Sequence, residues 1–315
     1  MQPRTKLIIL GGISIVLILF SLFYQLGTNW GYILPRRGYK VLAIALTGAA
    51  IAFSTVIFQT ITNNRILTPS IMGLDSVYLF IQTVLIYFFG STSVASLKNL
   101  NFIFSVGLMV LFAALIYRLL FMREQQNIYF LLLVGIIFGT LFDSLATFMQ
   151  VLIDPNEFMA IQDKMFASFN NVNTDLLYIS MITFGCISLY FRPFNKYLDV
   201  ISLGREQAIN LGVDYEHIVK RMLFIIAILV SVATVLVGPI TFLGLLVANI
   251  AYEFLRTYKH SILITGAILI SVIALVGGQL VVERVFTFST TLSVIINFVG
   301  GVYFIYLLLR GSRAW

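Results

Sequence analysis

Few side chains in this sequence could carry out acid–base, metal or nucleophilic chemistry, and those few are far apart. The two histidines, His217 and His260, fall in polar loops, and the single cysteine, Cys186, lies inside an apolar run. One cysteine excludes an internal disulfide and a cysteine-cluster metal site. The sequence also lacks G-x-x-x-x-G-K-[ST], H-E-x-x-H and G-x-S-x-G segments. We therefore expect no catalytic residue, no metal ligand and no cofactor on this chain.

Asp143 is the ionisable residue placed deepest within the apolar part of the sequence. An ionisable residue inside a membrane span is a functional candidate, for instance in a proton relay. A relay would need a chain of such groups, whereas Asp143 has only hydroxyls such as Ser144 close to it in sequence. A hydrogen bond to a neighbouring helix is the alternative interpretation. The amides Gln59, Asn249 and Asn297 are open to the same two interpretations, as helix–helix contacts or as the lining of a translocation path.

A polar stretch, residues 192–217, interrupts the apolar runs, and residues 203–212 within it could form a short amphipathic helix. Glu206 would lie in its first turn, where a negative charge is favourable, and Gly212 suits the left-handed position that ends a helix. Its apolar face would contain Leu203, Ala208, Ile209, Leu211 and Val213. Such a helix could enter the groove of a partner protein or lie on lipid headgroups.

The elements that position these residues are membrane helices. Hydrophobic residues make up 60% of the chain and charged residues only 10%, against about 25% in soluble domains. The apolar runs are long enough for membrane-spanning helices, which need about 20 residues. The sequence therefore predicts an all-α integral membrane protein with a single transmembrane domain, residues 1–315. The ten predicted helices cover roughly 7–24, 41–62, 71–89, 101–120, 127–152, 174–191, 219–237, 242–254, 261–281 and 292–309.

The distribution of cations predicts how the helices cross the membrane. With the N-terminus inside and ten crossings, fourteen of the 20 lysines and arginines fall on the inner side. This bias places both termini in the cytoplasm. The eighth helix is too short to cross alone. If it did not cross, the last two helices would be inverted, and Arg310 and Arg313 would lie outside.

Small residues predict close helix packing at two places. Gly48 begins a run of small side chains in the second helix, and such runs let helix backbones approach each other in lipid. Gly300 and Gly301 are expected to break the tenth helix.

Three cations stand out on the predicted outer side, which has few others. Arg37 and Lys40 precede the second helix, and Arg284 lies between the last two. Cations at an outer rim would attract an acidic protein surface or an anionic ligand. Anchoring in lipid headgroups is the alternative.

Four segments in order carry a family resemblance over residues 35–310. The first segment combines Arg37-Gly-Tyr-Lys40, Gly48-Ala-Ala and the stretch from Asn64 to Gly73. The second contains Leu203, Gly204, Ala208, Leu211 and Gly212. The third is Gly238-Pro-Ile-Thr-Phe-Leu-Gly-Leu245, and the fourth runs from Gly300 to Arg310. Together they resemble the permease subunits of ABC importers for iron–siderophores, haem and cobalamin, the FecCD-type permeases. Where the family has Pro-His after the third segment, this chain has Ala248-Asn249.

The resemblance implies a type II ABC importer permease with ten helices and with both termini in the cytoplasm. It implies two permease subunits side by side, either identical or different. It also implies two cytoplasmic ATPases that bind the ATP and magnesium. It further implies that Arg37 and Lys40, with Arg284 near the third position, meet acidic residues of an extracytoplasmic substrate-binding protein. The coupling helix that enters an ATPase cleft would contain Leu203, Gly204, Arg205, Glu206, Ala208, Leu211 and Gly212.

The function expected from this resemblance is import of a ferric siderophore across a bacterial cytoplasmic membrane, with lipid but no nucleic acid as a partner. Haem or cobalamin would be the alternative cargo within the same family. An ion-coupled secondary transporter that depends on Asp143 and needs no ATPase is the alternative from another class. A membrane enzyme is disfavoured because no catalytic cluster is present.

Overall fold

The computed structural model describes residues 2–25, 29–121, 128–170, 172–288 and 290–311, which form a bundle of helices. Its ten longer helices are α1 (Pro3–Phe23), α2 (Trp30–Thr62), α3 (Leu74–Ser96), α4 (Lys98–Phe121), α5 (Ile128–Leu152), α7 (Thr174–Phe191), α10 (Tyr215–Val237), α11 (Leu243–Leu255), α12 (His260–Arg284) and α13 (Leu292–Gly311). Three helices between them do not span the bundle: α6 (Pro155–Met165), α8 (Asn195–Ile201) and α9 (Arg205–Asn210).

The ten longer helices agree with the ten predicted membrane helices. Within the described ranges, eight are long and apolar enough to cross a membrane, and α11 and α13 are shorter apolar helices. The segment from Gly238 to the end of α11 connects the two faces. Gly238, five residues before α11, packs against the Ala167 backbone, while Phe254 near the end of α11 accepts a hydrogen bond from Lys6. Helix α11 itself starts inside the bundle, where Gly244 packs against Thr55 of α2. The chain therefore does cross here, and the last two helices keep their predicted direction.

Contacts at each end of the bundle join residues assigned to the same side of the membrane. On the inner side, Asp199 contacts His260. On the outer side, Lys40 contacts Glu283. Arg123 and Arg313, two of the cations counted for the inner side, lie outside the described residues.

Helix α2 begins eleven residues earlier than predicted, at Trp30, so Arg37 and Lys40 lie inside it rather than before it. The segment is too polar to be recognised as part of a membrane span, but nothing in it ends the helix. Pro35 lies in the second turn, and the chain continues as a helix through it to Thr62. Arg37 and Lys40 are consequently held on a rigid extension of α2 at the outer face.

Helix α6 was not predicted, although its sequence contains ordinary helix signals. Asp154 accepts a hydrogen bond from the backbone N–H of Asn156 (2.9 Å), and Pro155 occupies the first helical position. Both features favour a helix start. The segment was missed because the search for spans depends on apolar residues, and α6 is amphipathic and too polar to cross a membrane.

The core forms where α2 packs against α10 and α12. Gly48 permits the approach of α2 to α12, because a Cβ there would lie only 2.8 Å from Ser271 Oγ.

The expectation that Gly300 and Gly301 break the last helix was wrong, since α13 is continuous through them. Gly300 instead makes room for the side chain of Phe242, which would be 2.5 Å from an added Cβ.

Candidate functional site

The segment predicted to be a coupling helix forms α9 at the inner face. Gly204 precedes it with φ 103° and Gly212 follows it with φ 82°, backbone conformations that side-chain-bearing residues rarely adopt. The backbone N–H of Val213 donates to the carbonyl of Ala208 (3.0 Å), and that of Gly212 to Ile209 (2.9 Å), which closes the last turn. The two glycines therefore define a helix of fixed length with sharp bends at both ends.

The apolar residues of this segment divide into two groups rather than forming the single face expected. Ala208 is fully buried and Val213 nearly so, where α9 packs against α8 and α10. Leu203, Ile209 and Leu211 are 58%, 48% and 64% exposed. The charged residues Arg205 and Glu206 are exposed as well. Helix α9 is thus anchored by small buried side chains and presents larger apolar ones away from the bundle.

A pair of residues that sequence reasoning missed connects this loop to the membrane core. Asp199, on α8, accepts the backbone N–H of His260 (2.8 Å) and lies 2.6 Å from His260 Nδ1. Helix α8 also packs against α9. The two residues are 61 positions apart, so no local pattern in the sequence relates them. The contact fixes α8, and α9 with it, to the first turn of α12.

The three cations predicted for the outer face come together there, at the outer ends of α2 and α12. Arg37, Lys40 and Arg284 line a cavity of 560 Å³, together with Glu283 and a cation that was not singled out from the sequence, Arg36. Four cations and one carboxylate thus border one opening. The cavity is therefore positively charged and lies at the outer face.

Two of these cations already have partners within the chain. Arg37 donates to the carbonyl oxygens of Leu22 (3.1 Å) and Tyr24 (2.7 Å), which end α1. Lys40 forms an ion pair with Glu283 (2.8 Å) and donates to Asn170 (3.0 Å). Their positive charges are partly used to hold the outer ends of α1, α2 and α12 together.

The other two cations are more available to an external partner. Arg284 donates to the side chain of Gln25 and lies over the Tyr24 ring, 5.0 Å from its centroid, but it remains exposed. Arg36 is exposed, one residue before Arg37 on α2. A carboxylate from outside could reach Arg36 and Arg284 without breaking an ion pair.

Three of the four candidate path residues make hydrogen bonds that hold turns in place. Gln59 Nε2 (2.6 Å) and Asn249 Nδ2 (2.9 Å) both donate to the carbonyl oxygen of Arg65, after α2. Asn297 Oδ1 accepts the backbone N–H of Phe242 (3.4 Å), just before α11. Gln59 and Asn249 are buried, so these amides contact the protein interior rather than an open path.

Asp143 differs from these amides because it is exposed on α5. The neighbouring Ser144 and Thr147 are exposed too, while apolar residues such as Phe148 (66%) cover other parts of the helix surface. A carboxylate in a membrane span is costly against lipid and is normally found facing protein or water. The exposed polar strip around Asp143 therefore requires a protein neighbour or an aqueous path.

A second carboxylate, Asp75 at the start of α3, lies inside the bundle. It accepts a hydrogen bond from Thr234 (3.3 Å), and its other oxygen has no partner among the described residues. It lines a cavity of only 10 Å³, about the size of one water molecule, whose lining also includes hydroxyl side chains. No three His, Cys, Asp or Glu side chains in the described part of the chain cluster as a metal site would require.

The chain has the features of a multi-pass membrane permease. It has ten membrane helices, a short helix with exposed apolar residues at one face, and a cationic cavity at the other. Comparison with known proteins identifies the family. The chain belongs to the FecCD transport family, whose model matches residues 6–310. This confirms the resemblance inferred from the sequence motifs.

Two relatives and one solved structure describe the similarity further. The petrobactin import system permease protein YclO of Bacillus subtilis (strain 168) is 64% identical over 316 residues, which cover 100% of both chains. The petrobactin import system permease protein FatC of Bacillus anthracis is 35% identical over 88% of this chain and 79% of that protein. A chain from an ABC transporter described as of metal-chelate type, in an inward-facing conformation, superposes with TM-score 0.84 at 22% identity, covering 98% and 100% of the two chains. The last similarity concerns the fold alone and confirms the predicted permease architecture.

Proposed function

We propose that this chain is the transmembrane permease subunit of an ATP-driven importer that carries a ferric siderophore across the bacterial cytoplasmic membrane. The observation that carries the proposal is the segment around α9. Its exposed apolar residues Leu203, Ile209 and Leu211 protrude from the inner face of a chain that has no nucleotide-binding motif of its own. A permease of this kind is not itself an enzyme. ATP and magnesium would be bound by separate ATPase subunits, and α9 would enter a groove on them.

Petrobactin is the siderophore that the names of two relatives, YclO and FatC, support. The 64% identity between this chain and YclO extends over the full length of both proteins. Such identity favours a shared cargo more strongly than a shared fold does. Haem and cobalamin are the alternative cargoes from the family resemblance, but no residue in the part of the chain that the structure describes favours either. We therefore propose a petrobactin-type ferric siderophore as the substrate.

The cationic outer cavity is proposed as the docking surface for a substrate-binding protein. Arg36 and Arg284 would meet acidic side chains of that protein, while Lys40 and Arg37 hold the cavity in shape. Complementary charges of this kind speed the encounter and fix the orientation of two proteins more than they raise affinity. The sequence suggested Arg37, Lys40 and Arg284 as the contacting cations. The contacts described above favour Arg284 among these three and add Arg36, because Arg37 and Lys40 have partners within the chain.

Transport by this chain would follow alternating access driven by the ATPases. Closure of the ATPases would move α9, and α8 would pass the displacement to α12 through the Asp199–His260 contact. The nucleotide state can select a permease conformation only if it contacts one arrangement more favourably than the other. A helix fixed at both ends by glycine bends suits this role, because a flexible loop would absorb the movement.

The exposed polar strip on α5 supports a second permease beside this one. Asp143, Ser144 and Thr147 would line a path between the two subunits rather than face lipid. We propose a second, related permease chain as the partner. Co-purification of a tagged copy with an untagged copy of this chain would show a homodimer instead.

The experiment that tests the proposed function is uptake of iron-55 siderophore by a strain lacking this chain, with and without the chain restored. We expect restored uptake of ferric petrobactin, and no change in the uptake of haem or cobalamin. Vesicles that contain the chain, its ATPases and the second permease should import only when ATP is enclosed. Import into vesicles that contain this polypeptide alone would contradict the proposal.

A further inference from the structure

A second positively charged cavity lies on the outer side of the bundle, on elements other than those that form the docking cavity. It has a volume of 460 Å³ and lies where α3, α4, α6, α7 and α10 meet. Lys98, the first residue of α4, and Lys164, near the end of α6, both line it, together with the single carboxylate Asp163. Neither lysine forms an ion pair among the residues that the structure describes. Two lysines and one carboxylate therefore give the lining of this cavity a net positive charge.

The two lysines lie close enough to affect each other. Burial, and then the positive charge of Lys98, lower the pKa of the Lys164 amino group below its usual value, and Asp163 opposes this shift. Lys98 is the first residue of α4, so the positive end of that helix dipole lies at the same end of the bundle. Glu157, the other acidic residue of α6 nearby, accepts a hydrogen bond from the backbone N–H of Ser91 (2.6 Å) and forms an ion pair with neither lysine. An anion placed between the lysines would relieve their mutual repulsion.

An apolar groove continues from this cavity along the membrane-facing surface of α3 and α4. The groove has a volume of 290 Å³ and shares Val94 and Asn101 with the charged cavity. It exists because α3 bends at Gly90 (φ 75°), which turns its last residues aside. Its large apolar side chains are strongly exposed: Phe89 (64%), Leu97 (57%), Leu100 (62%) and Phe104 (49%).

The groove follows α4 from the end at which Lys98 lies toward the centre of the membrane. Six residues separate Lys98 from Phe104, which corresponds to about 9 Å along a helix. An anionic group bound at the lysines would thus be followed, at the right depth, by space for a hydrocarbon chain. A soluble anion would leave this apolar groove empty. A zwitterionic lipid would fill the groove but would not bring a net negative charge to the two lysines.

We propose that Lys98, Lys164 and the groove between α3 and α4 form a binding site for one anionic phospholipid of the outer leaflet. Its phosphate lies between the two lysines, and one acyl chain lies along Leu97, Leu100 and Phe104. Basic pockets between membrane helices are suited to such headgroups. The bound lipid fills the bend at Gly90 and joins α6 to the membrane surface.

The test is native mass spectrometry of the full-length chain, purified with its partner subunits and incubated with phosphatidylglycerol or phosphatidylcholine. We expect one phosphatidylglycerol to be retained per chain, in preference to phosphatidylcholine. The double substitution Lys98→Gln with Lys164→Gln should weaken phosphatidylglycerol binding about 10- to 30-fold, the loss expected for two lysines near an anionic headgroup. Lys259→Gln, which removes one lysine from the inner face, is the control and should leave the preference unchanged.

A second substitution tests the groove while both lysines are intact. Leu100→Trp should fill the groove and weaken binding of phosphatidylglycerol, and it also serves if the double lysine variant does not fold. Soluble glycerol 3-phosphate should not displace the lipid. Unchanged phosphatidylglycerol preference in the lysine variant, displacement by glycerol phosphate, or failure of the assembled complex to retain phosphatidylglycerol would each overturn the proposal.

Discussion

The carboxylate of Asp199 binds both the backbone N–H and the imidazole of His260, at 2.8 Å and 2.6 Å. These contacts attach α8, which carries α9, to the first turn of α12. The side chain of His260 is 5% exposed and that of Asp199 39% exposed, so the contact is shielded on one side. The short helix beneath the membrane is therefore attached to a membrane-spanning helix by side chains as well as by the backbone.

Helix α12 extends this connection to the opposite face. Its last turn contains Glu283, which pairs with Lys40, and Arg284 at the edge of the outer cavity. One continuous helix of 25 residues thus joins the candidate ATPase contact to the candidate binding-protein contact. If α12 moves as a unit, docking at the outer face and ATPase closure at the inner face must influence each other equally.

The first prediction concerns the Asp199–His260 contact. Asp199→Ala should leave the complex assembled and able to hydrolyse ATP, but should lower siderophore uptake severalfold, because α9 would move without α12. Hydrogen bonds to charged groups contribute about 1.5–3 kcal/mol, and the partial exposure of Asp199 favours the lower value. The measurements are ATP hydrolysis and iron-55 uptake by the same vesicles.

The control for this substitution is Asp154→Ala, which removes a helix cap from α6 on the outer face. The cap contributes a similar amount to the free energy of unfolding. It should keep the wild-type ratio of uptake to ATP hydrolysis. Equal ratios in Asp199→Ala and wild type would show that the contact serves only stability.

The second prediction concerns the exposed side chain of Leu211. Leu211→Asp should weaken ATPase binding about 10- to 100-fold, since burial of a leucine side chain is worth about 1.5–3 kcal/mol. The membrane bundle should fold normally, because Leu211 is 64% exposed in the isolated chain. Retention of the ATPase subunits on an affinity-tagged permease measures the effect.

Tyr258→Asp is the matched control, because Tyr258 is 75% exposed on another inner loop. It introduces the same charge at the same face without touching α9. If both variants lose the ATPase subunits equally, negative charge at this face is the cause and α9 has no special role.

The membrane helices could be predicted from the sequence because hydrophobicity is a local property. Each apolar run identifies its own span, and the cation bias then orients the whole series. The start of α2 at Trp30 and helix α6 were missed for the same reason, since both are helical but too polar to resemble a span. Periodicity and capping signals such as Asp154-Pro155 could have identified α6.

The candidate sites were less predictable because they depend on contacts between distant residues. Motif resemblance pointed to residues 203–212 and to the outer cations. It could not separate exposed Leu211 from buried Ala208, nor show that Lys40 is paired with Glu283, 243 positions away. The Asp199–His260 contact and the cavity with Lys98 and Lys164 have no local sequence signal at all.

The third prediction concerns the outer cations. Arg36→Glu and Arg284→Glu should each slow association of the substrate-binding protein, most strongly at low salt, because rim charges act mainly on the association rate. A reduction of about threefold to tenfold for each is expected. Association rates measured on nanodisc-embedded complex at several salt concentrations give the result.

The internal ion pair provides the comparison for these variants. Lys40→Glu combined with Glu283→Lys restores the pair with its charges exchanged and leaves the net charge of the cavity unchanged. Docking should stay near the wild-type rate if Lys40 acts within the chain. A rate as low as that of Arg284→Glu would mean that Lys40 itself contacts the binding protein.

The fourth prediction concerns the surroundings of Asp143. The background is Cys186→Ser, which removes the single cysteine of the sequence. In this background, Asp143→Cys should react with a water-soluble maleimide, because we expect the polar strip on α5 to face an aqueous path. Phe148→Cys should react slowly, since Phe148 lies on a different part of the α5 surface and is expected to face lipid. Labelling of the assembled complex, read by mass shift, measures both. Equal protection at the two positions would place Asp143 against protein or lipid.

The last prediction concerns the packing of α5 against residues 71–73, just before α3. A Cβ on Gly135 would lie 2.8 Å from Met72 Cα and 3.2 Å from the carbonyl oxygen of Ile71, and Gly139 is similarly close to Gly73. Backbone atoms cannot yield as a flexible side chain can, so Gly135→Ala should cost about 1–3 kcal/mol through overpacking. The midpoint of thermal unfolding in detergent should fall by several degrees.

Gly107→Ala is the control, because Gly107 lies within α4 with nothing within 4 Å of an added Cβ. Alanine favours a helix more than glycine does, so this change should leave the unfolding midpoint equal or slightly raised. The two substitutions add the same methyl group to membrane helices, and only their surroundings differ. If Gly135→Ala unfolds at the same temperature as Gly107→Ala, α5 and residues 71–73 can separate without loss. The helix that carries Asp143 would then be free to move relative to α3, which the close contact of Gly139 with Gly73 otherwise prevents.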